Sequence, residues 1–406
     1  MRFQFLIGDA LVPVSDSRAR RTSHALLLAL LLQLLQVQRG QAEDQVDYRY
    51  EYYQEDDHRI QVLTHSLYFD VTLKEGLVAV TGELVHDAVS GATPNGAPPP
   101  NQWYYPFGAV GNTNDSSVPL QQMEDVRNAI SLQSPVTLGI HTLTPQFAYS
   151  EESDYKSTGA ALNYSLSLFE KNTTLTFGWA HTWDQVLDAQ PVRQWQDKSG
   201  DDFLIGVNQL LSPKTVLGVN FTYGQSSGYL NDPYKFTFGV NDPQFFVDDP
   251  SGGPEQRPTE RDKYILRATV TQFITPANAS IEAAYRFYHD TYDITAQTVE
   301  LAWYQNIGRH VVVSPMFRYY YQTAANFYYE ILPDTYATAP ATFSPDYRLS
   351  ELQSFTAGIN VVVTATKWLS FDAGYKRYIM QGLDGVTSQT AYPAANVFTI
   401  GARVYF

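Results

Sequence analysis

The chain contains no cysteine, which excludes disulfides, thiolate metal sites, covalently attached haem and a lipidated N-terminal cysteine. Charge is also scarce. Asp, Glu, Lys and Arg make up 17% of residues, against about a quarter in an ordinary globular domain. Beyond residue 42 no apolar run reaches the ~20 residues of a membrane helix, so if the chain enters a bilayer, strands must carry it. The HExxH, GxSxG, phosphate-loop and zinc-ligand spacings of common enzymes are missing as well. The 8 histidines are scattered. His289 beside Asp290, or His141, is the nearest approach to a hydrolase site, and no catalytic residue, metal ligand or cofactor is expected.

What is present begins with a basic and apolar N-terminus. Arg18, Arg20 and Arg21 precede ALLLALLLQLLQV at 25–37, and Gly40, Gln41 and Ala42 lead into the acidic EDQVD. A basic region, a short apolar core and small residues before a cleavage point make a secretory signal, so residues 1–42 are expected to be removed and 43–406 to form the folded protein. That removal takes five arginines and two aspartates and moves the formal charge from −15 to −18. Nucleic acid is an unsuitable partner for so acidic a chain.

The mature region alternates. In KYILRATVTQFI, Tyr264, Leu266, Ala268 and Val270 share one side and Lys263, Arg267, Thr269 and Thr271 the other. In SIEAAYRFYHD, Ile281, Ala283, Tyr285 and Phe287 oppose Glu282, Arg286 and Asp290; WLSFDAGYK repeats the pattern. A period of two is the signature of strands with one greasy and one polar face. The 29 tyrosines suit strands and membrane interfaces alike.

A soluble sandwich would alternate in the same way, and connection lengths discriminate. Short joins at 74–76, 170–172, 212–215, 275–278, 307–309 and 366–367 interleave with long polar ones at 89–123, 185–201, 227–262, 324–349 and 380–395. Transmembrane barrels have short turns at one end and long loops at the other. The expected strands number sixteen, with fourteen as the fallback. They include 125–134, then 136–150 as the fifth, which contains Pro145, and end with 396–406. The fold class is therefore all-β: a transmembrane antiparallel up-and-down barrel with short periplasmic turns, long extracellular loops and outer-membrane lipid around it.

Inside hydrocarbon each unpaired backbone amide costs several kcal/mol, so the sheet must close and its last strand must pair with its first. This accounts for the C-terminus TIGARVYF, where Thr399, Gly401, Val404 and Phe406 resemble the signal read by the outer-membrane barrel-assembly machinery. Periplasmic chaperones are expected to deliver such a chain. Exposed aromatics such as Phe177, Trp179, Trp183, Trp303, Phe317 and Trp368 are expected on the lipid face or at its margins.

The chemistry on offer faces the lumen. Arg49, Arg127, Arg267, Arg286, Arg318, Lys376 and Arg403 share that side with Asp47, Glu51, Glu83, Glu282, Glu300 and Asp372. Mixed charge at this density needs water or mutual pairing, as in a solvated wall or a selective pore. The loop 248–262 (DDPSGGPEQRPTERD) reads as solvated. It is acidic, but lacks the spaced ligands of a calcium-binding hand. The stretch 92–108 is long enough to fold inward as a plug or to stay outside.

The stretches DAVSGATP (87–94), HTLTPQFAYSEESDYKS (141–157), EKNTTLTFG (170–178) and GYLNDPY (228–234) resemble a family of Gram-negative outer-membrane barrels catalogued as a domain of unknown function. The resemblance implies a membrane barrel and carries no catalytic residue. Two roles are open on the sequence: a porin-like channel with a polar lumen, or a non-conducting scaffold serving an envelope partner protein.

Overall fold

The computed structural model describes residues 44–74, 77–99, 117–189, 192–237, 253–333 and 338–406. The expected signal segment, 1–42, lies outside them. Sixteen antiparallel strands form one ring. They are β1 (Gln45–Glu55), β2 (Ile60–Lys74), β3 (Val78–Pro94), β4 (Leu120–Gln133, resuming as Val136–Leu138), β5 (His141–Glu151), β6 (Tyr155–Leu168), β7 (Thr173–Leu187) and β8 (Trp195–Ser212). The ring continues with β9 (Thr215–Gly228), β10 (Glu260–Ile274), β11 (Ala279–Asp290), β12 (Thr295–Ile307), β13 (Val311–Gln322), β14 (Leu352–Thr366), β15 (Leu369–Gly382) and β16 (Ala394–Tyr405).

Each strand pairs with its sequence neighbours, and β16 closes the sheet on β1 from Gln45↔Tyr405 to Glu55↔Ala395. The Phe406 amide adds a hydrogen bond to the Asp44 carbonyl at 2.9 Å. The chain's last residues are thus a full sheet partner, as the alternation of TIGARVYF requires. No helix among the described residues is long and apolar enough to cross a membrane.

Register fixes the faces. Directly opposed residues point the same way, and one outward row runs Phe221, Leu266, Phe287 while the adjacent inward row runs Asn220, Arg267, Arg286. Phe203, Ile205, Leu301, Ile359, Phe371 and Ile400 extend the exposed apolar exterior. Trp179, Trp183 and Trp368 are on the same surface, at 42%, 54% and 56% exposure. Large apolar side chains left uncovered around a complete ring need an apolar solvent; a sandwich would have stacked them on a second sheet.

The structure corrects three expectations. Residues 136–150 are not one strand. The chain passes Ser134–Pro135 without turning, and the turn comes at Gly139–Ile140, with Gly139 at φ 64°. Pro135 has no amide to donate and so imitates a turn, yet the Ala79 amide still reaches its carbonyl at 3.3 Å and the Ser134 amide bonds the Pro145 carbonyl at 3.1 Å. Pro145 therefore sits beside this interruption, where the lost ladder bond matters least.

Four of the five long joins are shorter than their polarity implied, at 95–119, 188–194, 229–259 and 383–393, while the fifth, 323–351, is slightly longer than the expected 324–349. β3 and β7 run on past their expected ends to Pro94 and Leu187, and β8 starts early, at Trp195. The joins at that end also include three tight ones, 56–59, 152–154 and 291–294, so the two ends do not alternate strictly.

Candidate functional site

The inner wall pairs its charges across strands. Arg403 grips Asp47 through Nε at 3.0 Å and Nη2 at 2.6 Å, across the closing β16–β1 seam. Arg49 lies 3.5 Å from Asp372, whose carboxylate covers Gly401. A Cβ at position 401 would sit 2.3 Å from its Oδ1. Arg127 donates to Asp87 at 2.6 Å and approaches Glu152 at 3.9 Å. Arg267 and Arg318 share Glu300, at 3.2 and 3.3 Å. Arg286 lies beside Tyr288, its guanidinium carbon 5.2 Å from the ring centre. Lys376 runs its stem over Gly358, and Glu282 faces inward between Thr271 and Ala302.

Of the assembly-signal residues, Thr399 pairs with Glu51, Gly401 with Arg49 and Val404 with Val46. His289 and His141 are not brought together, and neither pairs with a carboxylate among the described residues. His289 bonds Thr295 at 3.0 Å on the outer face, opposite to that of its neighbour Asp290, and His141 bonds the Tyr164 hydroxyl at 2.7 Å, also outside.

The lumen is open at mid-height. The side chains of Arg267, Glu300 and Arg318 retain 44%, 39% and 41% exposure although the sheet encloses them. Towards the loop end it is roofed. The Phe236 amide, in the β9–β10 loop, bonds the Asn95 carbonyl beyond β3 at 2.9 Å, and Lys235 reaches the Pro94 carbonyl at 2.5 Å. β3 and β9 are six strands apart in the ring. With strands ~4.8 Å apart and tilted ~40°, a sixteen-strand barrel is ~30 Å across, so these contacts form only if the loop crosses the mouth.

Further bonds tie the roof to the other loops. Gln256 and Phe343 exchange backbone hydrogen bonds at 2.9 and 2.7 Å, linking the β9–β10 and β13–β14 loops. Ser350 Oγ meets the Tyr392 hydroxyl at 2.6 Å, Val118 N donates to Thr390 Oγ1 at 3.0 Å, and Arg59 donates to the Thr390 carbonyl at 2.8 Å. Gly96 marks a close crossing of two loops. At φ +97°, a Cβ there would lie 2.7 Å from both the Phe236 carbonyl and Pro345.

A buried ionic knot holds this cap. Arg257 bonds Glu255 Oε1 at 2.6 Å and Asp346 Oδ2 at 2.8 Å; Arg348 bonds Asp346 Oδ1 at 2.8 Å and also reaches Asp232. Ser344 donates to Glu255. Glu255 is 0% and Asp346 1% exposed. The reading of 248–262 as a solvated loop is therefore overturned where the segment is described. Glu255 and Arg257 are core residues of the cap, while 248–252 lie outside the described residues. Of the possible plug 92–108, residues 95–99 join the cap and 100–108 lie outside the described residues.

A second acidic group is at the β5–β6 turn. Asp125, Glu152 and Asp154 each bring an oxygen within 4.8 Å of the others, balanced by Arg127 and by Arg193, 3.6 Å from Asp154. Tyr234 of the cap donates to Asp154. Burial pushes the carboxyl of Asp154 up to about 7 and that of Glu152 to about 8; burial also pushes Glu330, which accepts from the Ser388 amide, to about 7. An acid that holds its proton more tightly in the packed cap than in open loops stabilises the cap below its ordinary range. That contribution is lost as pH rises towards 7 to 8. Cleavage of the loops by proteinase K, normalised to an unfolded control, is therefore expected to be slower at pH 5 than at pH 8; equal rates would show that these acids do not stabilise the cap.

A family model described as protein of unknown function (DUF3570) matches residues 22–194 and 187–397. No curated protein matches the chain. Among solved structures, CdiB from Acinetobacter baumannii aligns with a TM-score of 0.50 at 10% identity, over 90% of this chain and 61% of that one. The chain thus spans about three fifths of CdiB's length. OccK5 (OpdH) from Pseudomonas aeruginosa aligns at 0.43 and 7% identity, over 90% and 98%. OccK3 (OpdO) from the same organism aligns at 0.42 and 8%, over 90% and 96%. CdiB shares the barrel fold.

Proposed function

We propose, for a chain that belongs to the DUF3570 family of proteins of unknown function, the role of an outer-membrane channel for small polar solutes, with the loop cap as its outer gate. The observation that carries this reading is the open, charged lumen at the level of Arg267, Glu300 and Arg318, enclosed by a wall whose outside is apolar. A barrel that only needed to span lipid could fill its interior with side chains. Sixteen strands leave room for an aqueous path, as in porins of that size. The even strand count puts both termini with the seven tight turns, which is the periplasmic end in bacterial barrels. The cap then faces the exterior. Export by a cleaved signal, delivery by periplasmic chaperones and insertion by the barrel-assembly machinery through Thr399, Gly401, Val404 and Phe406 belong to the same proposal, as does the absence of enzymatic activity.

The crossing loops favour one alternative: a closed barrel whose roof presents a surface to an envelope partner. Conductance in planar bilayers distinguishes the two. Purified protein is expected to give discrete open steps interrupted by closures; a heat-modifiable, correctly folded barrel that stays silent even after the cap is loosened would support the scaffold.

A further inference from the structure

We infer that the lumen carries a binding site for small carboxylate-bearing solutes, dicarboxylates above all, formed by Arg267, Arg286 and Arg318 around Glu300. Its use in transport rests on the channel reading; the binding does not. Arg267 and Arg286 are directly opposed in the β10–β11 ladder, which brings two like charges together, and such pairs are destabilising unless something compensates them. Arg318 is directly opposed to Glu300 in β12–β13. Three guanidinium groups thus share one carboxylate. Glu300 is already engaged at 3.2 Å by Arg267 and at 3.3 Å by Arg318. Arg286 has no acidic partner within ion-pair distance among the described residues; the face of Tyr288 lies against it, and Tyr320 is nearby.

The other inward arginines differ. Arg403, Arg49 and Arg127 each have an aspartate, and Arg261 has Asp290 at 2.8 Å. The excess of two positive charges is therefore local, in a chain that is acidic overall. The directly opposed inward neighbours are small, Ala284 beside Glu300 and Thr298 beside Arg286, and the side chains of Arg267 and Arg318 keep 44% and 41% exposure, so the cluster is reached from the lumen. Glu300 shows the geometry these forks accept: one planar carboxylate held by two arginines. A second carboxylate could take the same role between Arg286 and Arg267, since guanidinium groups recognise carboxylates as planar, two-pronged acceptors. A dianion would match the excess charge.

Ligand-observed NMR with the detergent-solubilised protein tests this, using succinate as probe and uncharged succinamide as control. Succinate is expected to bind in the millimolar range and succinamide not at all. Arg286→Gln is expected to weaken binding at least tenfold and Glu300→Gln to strengthen it several-fold, with both variants remaining heat-modifiable barrels. Arg286→Lys covers the case in which the glutamine variant does not fold; it keeps the charge but loses the fork, and is expected to bind less tightly than the parent. Succinate that fails to bind, or that binds Arg286→Gln as well as the parent, overturns the site. A protein that binds succinate but passes no current retains the site and loses the channel.

Discussion

Replacing Arg257 with alanine is expected to open the cap, raising single-channel conductance several-fold and exposing the loops to protease while the barrel remains heat-modifiable. The reason lies in the knot. Arg257 is the cation between Glu255 and Asp346, at 2.6 and 2.8 Å, and both acids are withdrawn from water. Removing one partner of a buried ion pair leaves charge without compensation and costs ~3–5 kcal/mol. Arg348 cannot replace it, being committed to Asp346 and Asp232 on the other side. The cap also rests on two apolar clusters, Val118, Tyr347, Leu352, Ala391 and Tyr392 in one and Tyr292, Ile294, Ala325, Phe327 and Leu349 in the other, so the change is expected to loosen the crossing loops rather than to unfold every loop. The ring of strands is held by its own continuous hydrogen bonding and need not respond. Protease sensitivity reads the cap whether or not the barrel conducts, so an Arg257→Ala protein with unchanged loop cleavage would contradict the latch directly.

The second large effect concerns the wall. Leu266 lies halfway along β10, between Phe221 and Phe287 on the outer face. Lysine at a barrel position facing the middle of the bilayer costs ~2–4 kcal/mol. Leu266→Lys is therefore expected to reduce folding stability in lipid by about that amount, measured by denaturant titration in vesicles. Thr269→Lys, on the inward face of the same strand, is expected to change it by well under half as much, because its ammonium meets lumen water. Equal costs at the two positions would mean that the strand does not separate lipid from water.

These two cases mark what the sequence could reveal. Leu266 and Arg267 announce their faces because one side of β10 meets oil and the other water, and the solvent difference is written into every second residue. The closing β16–β1 seam was legible for the same reason, since an alternating final strand must find a partner. The cap was not. Glu255 and Arg257 lie in a polar, glycine- and proline-rich stretch without period, and their partner Asp346 is far away in the chain. Nothing local distinguishes a charge bound for a buried knot from one bound for water. Pro135 misled for a simpler reason: its missing amide weakens a ladder in the way a turn does, yet the strand continues through it to Gly139. At the anion site, alternation placed Arg286 on the inner wall. The arginine directly opposite, and the single glutamate shared by its neighbours, follow only from register.

Absence of native cysteine makes the most direct test straightforward. Single cysteines can be introduced at each position from Tyr264 to Thr271 in the lipid-embedded protein and challenged with a charged, membrane-impermeant thiol reagent. Strict alternation is predicted: Arg267→Cys and Thr269→Cys react and are protected by nothing but the narrowness of the lumen, while Leu266→Cys and Ala268→Cys stay unmodified. Uniform labelling along the strand, or labelling at the even positions alone, would contradict a barrel with lipid outside and water within.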